Sequence, residues 1–261
     1  MSGSDVQLVQ SLSRGLAVIR AFSGARPRQT LAQVAESTGL PRATVRRFLH
    51  TLVAEGYASS DGTVFWLTPK TLELGFSYLS SLGLPAIAQP HLDALSRSLN
   101  ESCSLTVLDG PDVVYVARAA ADRIMSVNIT IGTRFPAYAT SMGRVLLADL
   151  QPAQLDAYLA DTPLEPITPE TVTSEDAFRQ LLIDVQRKGY CIVDQELELG
   201  LRSVACPVRG NDGKVVAAVN LSAHAGAVGH REVVDRLLPP LQATASAIER
   251  DLQTTTLKEK S

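Results

Sequence analysis

Cysteine is scarce in this chain: three in 261 residues, with Cys103, Cys191 and Cys206 far apart in apolar, strand-like runs. No CxxC or Cys/His spacing joins them. That speaks against a disulfide scaffold or a zinc module and leaves three buried, reduced thiols as the expectation. Long apolar runs are missing as well. Nothing approaches the roughly 20 residues needed to span a bilayer, and the N-terminal stretch lacks a signal-peptide pattern. The expectation is a cytoplasmic protein with no membrane partner. Catalytic signatures are equally thin. There is no P-loop, dinucleotide fingerprint or HExxH, and Ser141 sits in Thr-Ser-Met-Gly rather than GxSxG. No cofactor and no metal are therefore expected, and catalysis is disfavoured. His224 and His230, at the glycine-rich stretch 223–229, carry the rival reading of a hydrolase-like, small-molecule-converting enzyme with an incidental helical head.

A strong basic excess is also missing, since the net charge is −3. Its distribution is uneven, however. Residues 1–80 hold eight Lys and Arg against five Asp and Glu, a net of +3, which leaves −6 for the remainder. A basic head on an acidic body fits a phosphate-binding footprint confined to one domain. With 45% hydrophobic and 20% charged residues, the chain has material for two ordinary domains with real cores.

The stretch 30–56 parses as helix, tight turn, helix. Thr30 followed three residues later by Gln33 is a capping-box start, Gly39 a left-handed stop, and Pro41 the opening of the second helix. There Val45, Phe48, Leu49 and Leu52 recur at helical spacing. The opposite face carries Ala43, Arg47 and His50, flanked by Arg42, Thr44, Arg46 and Thr51. A small, basic, hydrogen-bonding helix face after a short turn is what a DNA recognition helix requires. Asp61-Gly62 between two short strand-like runs reads as a type I′ hairpin, so helix, helix, helix, hairpin gives the order of a winged helix-turn-helix. The first helix, over 6–22, sets Leu8, Leu12, Leu16, Ile19 and Phe22 on one stripe. Arg26 and Arg28, in the turn that follows, are placed to touch backbone phosphate. Trp66 is expected to pack against the helices.

Thr68-Pro69 reads as the cap and first turn of a linker helix bearing Leu72, Phe76 and Leu79. From 104 onward short strands and helices alternate. Strands are expected over 105–108, 113–118, 124–131, 190–195, 203–209 and 215–222; helices over 85–101, 144–149, 152–159, 174–188 and 231–252. This is an α+β pattern with an antiparallel sheet flanked by helices. The division is a winged helix-turn-helix domain over 1–68, a linker helix over 69–84, a second domain over 85–253 and a disordered tail over 254–261.

Within that second domain the loop 133–143 combines Arg134, Tyr138, Ala139, Thr140 and Ser141 with a helix start at Met142 and Gly143, a place suited to a small anion. Asp194 and Glu196 form a second polar cluster with Ser203, and Asn220 and Ser222 interrupt an apolar strand. Polar groups converging on an apolar lining describe a ligand pocket. A purely structural role, with Asp194, Glu196 and Arg202 pairing among themselves, stands beside that reading.

Three stretches together carry a family resemblance: Ser11-Leu-Ser-Arg-Gly-Leu-Ala-Val-Ile, the Gly132 to Ala148 run Gly-Thr-Arg-Phe-Pro-Ala-Tyr-Ala-Thr-Ser-Met-Gly-Arg-Val-Leu-Leu-Ala, and Asp194-Gln-Glu-Leu-Glu-Leu-Gly-Leu-Arg-Ser-Val-Ala. With the helix-turn-helix, they resemble IclR-type transcriptional regulators over nearly the whole chain. The resemblance implies a winged helix-turn-helix, a linker helix and a GAF-like effector-binding domain. It also implies homodimers or homotetramers on palindromic double-stranded operators. The motifs are most similar to the PcaR/PobR/PcaU branch, whose members control aromatic-acid catabolism through the β-ketoadipate pathway and respond to protocatechuate, 4-hydroxybenzoate or β-ketoadipate. The effector site it implies runs through 139–143, Asp194, Glu196, Ser203 and Asn220. Other members often have cysteine where this chain has Ser203, which alters the polarity of the pocket there.

Overall fold

The computed structural model describes residues 8–72, 74, 83–121 and 129–259, in two units, Met1–Ser81 and Leu82–Ser261. The first holds α1 (Gln10–Arg20), β1 (Arg28–Thr30), α2 (Leu31–Thr38), α3 (Arg42–Ala54), β2 (Ala58–Ser60) and β3 (Val64–Leu67). The capping box is present: Thr30 Oγ1 accepts the Gln33 amide, and Gln33 Oε1 accepts the Thr30 amide at 2.8 Å. Gly39 ends α2 at φ +66°, where a side chain would be strained. Pro41 stands one place before α3, as its cap residue rather than its first residue. Val18, Val34, Val45, Leu49 and Phe65 are fully or nearly fully buried and form the core.

Several further expectations for this unit are corrected. On α1 the stripe that faces inward is not the leucines. Val18 and Phe22 turn inward, while Leu8, Leu12 and Leu16 are exposed. The wing turn is not a two-residue type I′ turn, because Asp61 does not adopt the positive φ that type demands. Its carboxylate instead accepts the amides of Thr63 and Val64 at 3.1 and 2.9 Å, closing a longer loop with Gly62 at φ +98°. The wing also gains a third strand: β1 pairs with β3 (Arg28 opposite Trp66), giving the order β1-β3-β2. Thr68 does not cap a helix. Its hydroxyl donates to the Gly56 carbonyl, and a 3-10 turn covers Pro69–Leu72. The rest of the expected linker helix lies outside the described residues.

The second unit is built on six antiparallel strands: β4 (Ser102–Asp109), β5 (Asp112–Ala119), β6 (Arg134–Pro136), β7 (Cys191–Asp194), β8 (Leu201–Arg209) and β9 (Val215–His224), in the order β6-β5-β4-β9-β8-β7. Along β9 the alternate residues Ala218 and Asn220 on one face, and Val219 and Leu221 on the other, are all buried. Both faces of the sheet are therefore covered. Helices α4 (Leu84–Leu99) and α8 (Leu238–Glu259) pack together and onto the sheet, as does the short α5 (Ser141–Leu147). Phe178, Leu182 and Val185 of α7 (Glu175–Lys188) share a core with α5, and α6 (Pro152–Asp161) adds Tyr158.

Strand 124–131 falls mostly outside the described residues, and the third strand of this end is β6, which the sequence reading placed in a loop. The closing helix passes 252 and continues through Glu259, so residues 254–259 are helical rather than a disordered tail. The three cysteines are free and buried; burial pushes each thiol up to about 12, so they stay protonated.

Candidate functional sites: a helix face and an enclosed pocket

On α3, the apolar residues Val45 and Leu49 bury one side, and helical geometry then turns Arg42, Ala43, Arg46, Arg47, His50 and Thr51 outward, with Thr44 half-buried. Among the described residues no carboxylate pairs with Arg42, Arg46 or Arg47. Their charge is uncommitted, which is the state in which phosphate and base edges can take it up. Arg28 differs. Its Nη2 meets Asp61 Oδ2 at 3.1 Å, and its guanidinium lies 3.9 Å from the Trp66 ring centroid. Arg28 is thus paired and stacked within the wing, unlike the uncommitted arginines of α3. Amides of Val64 and Thr63 first, and then Arg28, hold the Asp61 carboxyl below its ordinary value.

The pocket lies in the second unit, and the space between its walls, including the part open to solvent, is about 420 Å³. Its entrance into helix α5 is set by local chemistry. Pro136 leads into a 3-10 turn, Ala137–Ala139. Thr140 then turns extended, and its hydroxyl accepts the Gly143 amide at 3.0 Å. A Cβ on Gly143 would stand 2.0 Å from the Ala137 carbonyl oxygen, so only glycine allows this turn to pack on the helix. Ala139, Thr140, Ser141 and Met142 therefore face the pocket, with Ser203 of β8 and Asn220 and Ser222 of β9. Ser203 Oγ donates to Ser141 Oγ at 2.9 Å. Asn220 accepts the Ser104 amide at 3.0 Å and donates through Nδ2 to Ser222 Oγ, also at 3.0 Å. The remaining walls are apolar or aromatic: Tyr115, Ile129, Phe135, Val193, Leu197 and Leu201. Sequence reasoning missed these walls. Phe135, Leu197 and Leu201 lie inside the quoted motifs, but as apolar residues they look the same there as core.

Five of the sequence-predicted residues do not line the pocket. Arg134 is bound on the surface by Asp109 and Asp112 at 2.6 and 3.0 Å, so it offers no free cation. Tyr138 is buried with its hydroxyl on the Glu165 carbonyl. Gly143 serves the close approach just described. Asp194 pairs with Arg202 at 2.6 Å, and Arg202 also donates to the carbonyls of Ala225 and Val228. Glu196 forms a two-pronged buried pair with Arg144, at 2.6 and 2.5 Å, and accepts the Val172 amide. Arg144 Nε donates to the Tyr138 carbonyl at 2.7 Å. One ion pair thereby ties the helix that begins at the pocket to the segment that carries Leu197. Asp194 and Arg202 pair with each other as the structural reading had it, but Glu196 pairs with neither: its partner is Arg144, a cation that was not foreseen.

A winged helix-turn-helix with an uncommitted basic helix face, joined in one chain to a sheet domain enclosing a pocket, defines a DNA-binding transcriptional regulator. Residues 11–62 match the family described as IclR helix-turn-helix domain, and residues 76–250 match Bacterial transcriptional regulator IclR C-terminal. The chain belongs to the IclR family. It is similar to the Pca regulon regulatory protein of Pseudomonas putida, at 45% identity covering 92% of this chain and 83% of that one. It is 37% identical to the p-hydroxybenzoate hydroxylase transcriptional activator of Acinetobacter baylyi, covering 92% and 90%. Among solved structures it resembles an IclR homolog from Microbacterium hydrocarbonoxydans complexed with 4-hydroxybenzoate, with TM-score 0.83 and 27% identity over 94% of this chain and 99% of that one. These relatives are regulators, and they give the enzyme reading no support. Among the described residues no helix is long and apolar enough to cross a membrane.

Proposed function

We propose that this regulator controls aromatic-acid catabolic genes of the β-ketoadipate type in response to an aromatic carboxylate held in the pocket of the second unit. One observation carries the reading. The hydroxyls of Ser141 and Ser222 each already accept a hydrogen bond, from Ser203 and Asn220, and each keeps its own proton to donate. Two such donors between aromatic and aliphatic walls suit a planar acid: the carboxylate meets O–H groups and the ring meets carbon. The neighbour complexed with 4-hydroxybenzoate and the Pca regulon relative support the assignment. Arg47, with Arg46 and Thr44, reads base edges. The protein acts in the cytoplasm as a homodimer or homotetramer on a palindromic operator.

Thermal-shift measurements on the full chain with 4-hydroxybenzoate, protocatechuate and β-ketoadipate test the ligand class, because a ligand at a hundred times its Kd stabilises by about 2.7 kcal/mol. A rise in Tm with an aromatic acid is expected. No rise with either aromatic acid overturns the proposal, and so does a rise with β-ketoadipate alone.

A further inference from the structure

We propose that Tyr115 determines the ligand specificity of this pocket, its hydroxyl pairing with a hydroxyl on the ligand ring para to the carboxylate. The inference rests on the pocket being the effector site. Tyr115 lines the pocket from β5 and is only 4% exposed, yet its hydroxyl has no hydrogen-bond partner among the described residues. Unlike Thr106 Oγ1, this hydroxyl is not sealed from solvent, so a ligand in the pocket can supply the partner that such phenols usually have. Its register partner on β4, Thr106, is fully buried and likewise has an unpaired hydroxyl. Thr140, Ser203 and Asn220 are engaged within the protein, while Ser141 and Ser222 keep the donors assigned above to the carboxylate.

The position of Tyr115 sets what it can read. The order β5-β4-β9-β8 puts it three strand spacings from Ser203, about 14 Å across the sheet. The register (Tyr115 opposite Thr106, Ser203 opposite Ser222 and through it Ser102) also sets the two four residues apart along the strands, at opposite ends of the pocket. A ligand whose carboxylate sits on the Ser141 and Ser203 side presents its para substituent toward Tyr115. Phe135 holds the phenol ring edge-on, with centroids 5.8 Å apart and planes at 83°. Burial pushes the phenol up to about 12, so it remains a neutral donor and acceptor at every physiological pH. An aliphatic dicarboxylate is disfavoured at this end, because no cationic side chain lines the pocket among the described residues and a second carboxylate would meet Tyr115, Ile129 and Phe135.

Calorimetric titration of the full chain with benzoate, 3-hydroxybenzoate, 4-hydroxybenzoate and adipate tests this. In the unmodified protein, 4-hydroxybenzoate is expected to bind about five- to tenfold tighter than benzoate, and 3-hydroxybenzoate to bind like benzoate. Tyr115→Phe keeps the ring and its edge contact, and should bring the ratio of 4-hydroxybenzoate to benzoate affinity to near one. An unchanged ratio in that variant overturns the assignment, as does equal binding of the two hydroxybenzoates or tightest binding of adipate by the unmodified protein. The isomer comparison needs no variant, so a misfolded Tyr115→Phe does not rescue the idea. If no benzoate binds at all, the pocket reading itself fails, and that result is distinct from aromatic acids binding without regard to the ring hydroxyl.

Discussion

Arginine is used in opposite ways in the two units. In the first, Arg42, Arg46 and Arg47 stand exposed with no carboxylate beside them among the described residues, and their function depends on that availability. In the second, Arg144 is fully buried and wholly committed to Glu196 and the Tyr138 carbonyl. An exposed cation costs little to keep and is free to meet phosphate. A buried one is tolerable only when charge and hydrogen bonds surround it, and what it contributes is geometry. Arg28 lies between these cases, half-exposed, stacked on Trp66 and paired with Asp61.

The contrast can be broken most severely at Glu196. Glu196→Ala leaves Arg144 as an uncompensated buried charge, and chemical denaturation should show a loss of about 3–5 kcal/mol. A loss below about 1 kcal/mol would mean that water or another acceptor replaces the carboxylate and that the pair is not a structural tie. The uncommitted case is tested by Arg47→Ala. Stability should hardly move, while operator affinity in a mobility-shift titration falls by about 1–3 kcal/mol and discrimination at one base pair relaxes. An undiminished affinity would put the recognition face elsewhere on α3. The smallest effect belongs to Asp61. Because its folded carboxyl titrates below the ordinary value of 3.8, its stabilisation of the wing is complete above that value. It is lost as pH falls through the lower, folded value. Trp66 is the only tryptophan and sits in this wing, so its fluorescence should stay level above pH 4 and change below it. The change should vanish in Asp61→Asn. A transition near neutral pH would assign the signal to some other group.

Much of the first unit was readable because its signals are local. Thr30 with Gln33, then Gly39, then Val45 and Leu49 at helical spacing each act within a few residues, and each is present. β1 was not readable, since residues 28–30 become a strand only by meeting β3. The outward turn of Leu8, Leu12 and Leu16 depends likewise on how α1 packs against the rest of its unit. In the pocket, Ser203, Asn220 and Ser222 stood out as polar residues on apolar strands. Ile129, Leu197 and Leu201 could not, because an apolar wall and an apolar core share one composition. Arg144 and Glu196, 52 residues apart, show no local sign that they meet. Arg134 misled for a related reason: its partners Asp109 and Asp112 come from the hairpin beside it in space.

The central pairing of the sheet bears on how the chain is made. β4 and β9 lie side by side, and Ser104 bonds to Asn220 across 116 residues. On a ribosome releasing the chain from its N-terminus, the three helices and wing are complete once Leu67 has emerged, and their contacts are short-range. In the second unit β4 pairs at once with β5, but its other edge has no partner until β9 appears. For most of its synthesis, then, β4 and β5 form a hairpin with an unpaired edge, the kind of edge that joins other chains. Translation speed between residues 109 and 224 should therefore govern the soluble yield of this protein far more than any change in its DNA-binding head.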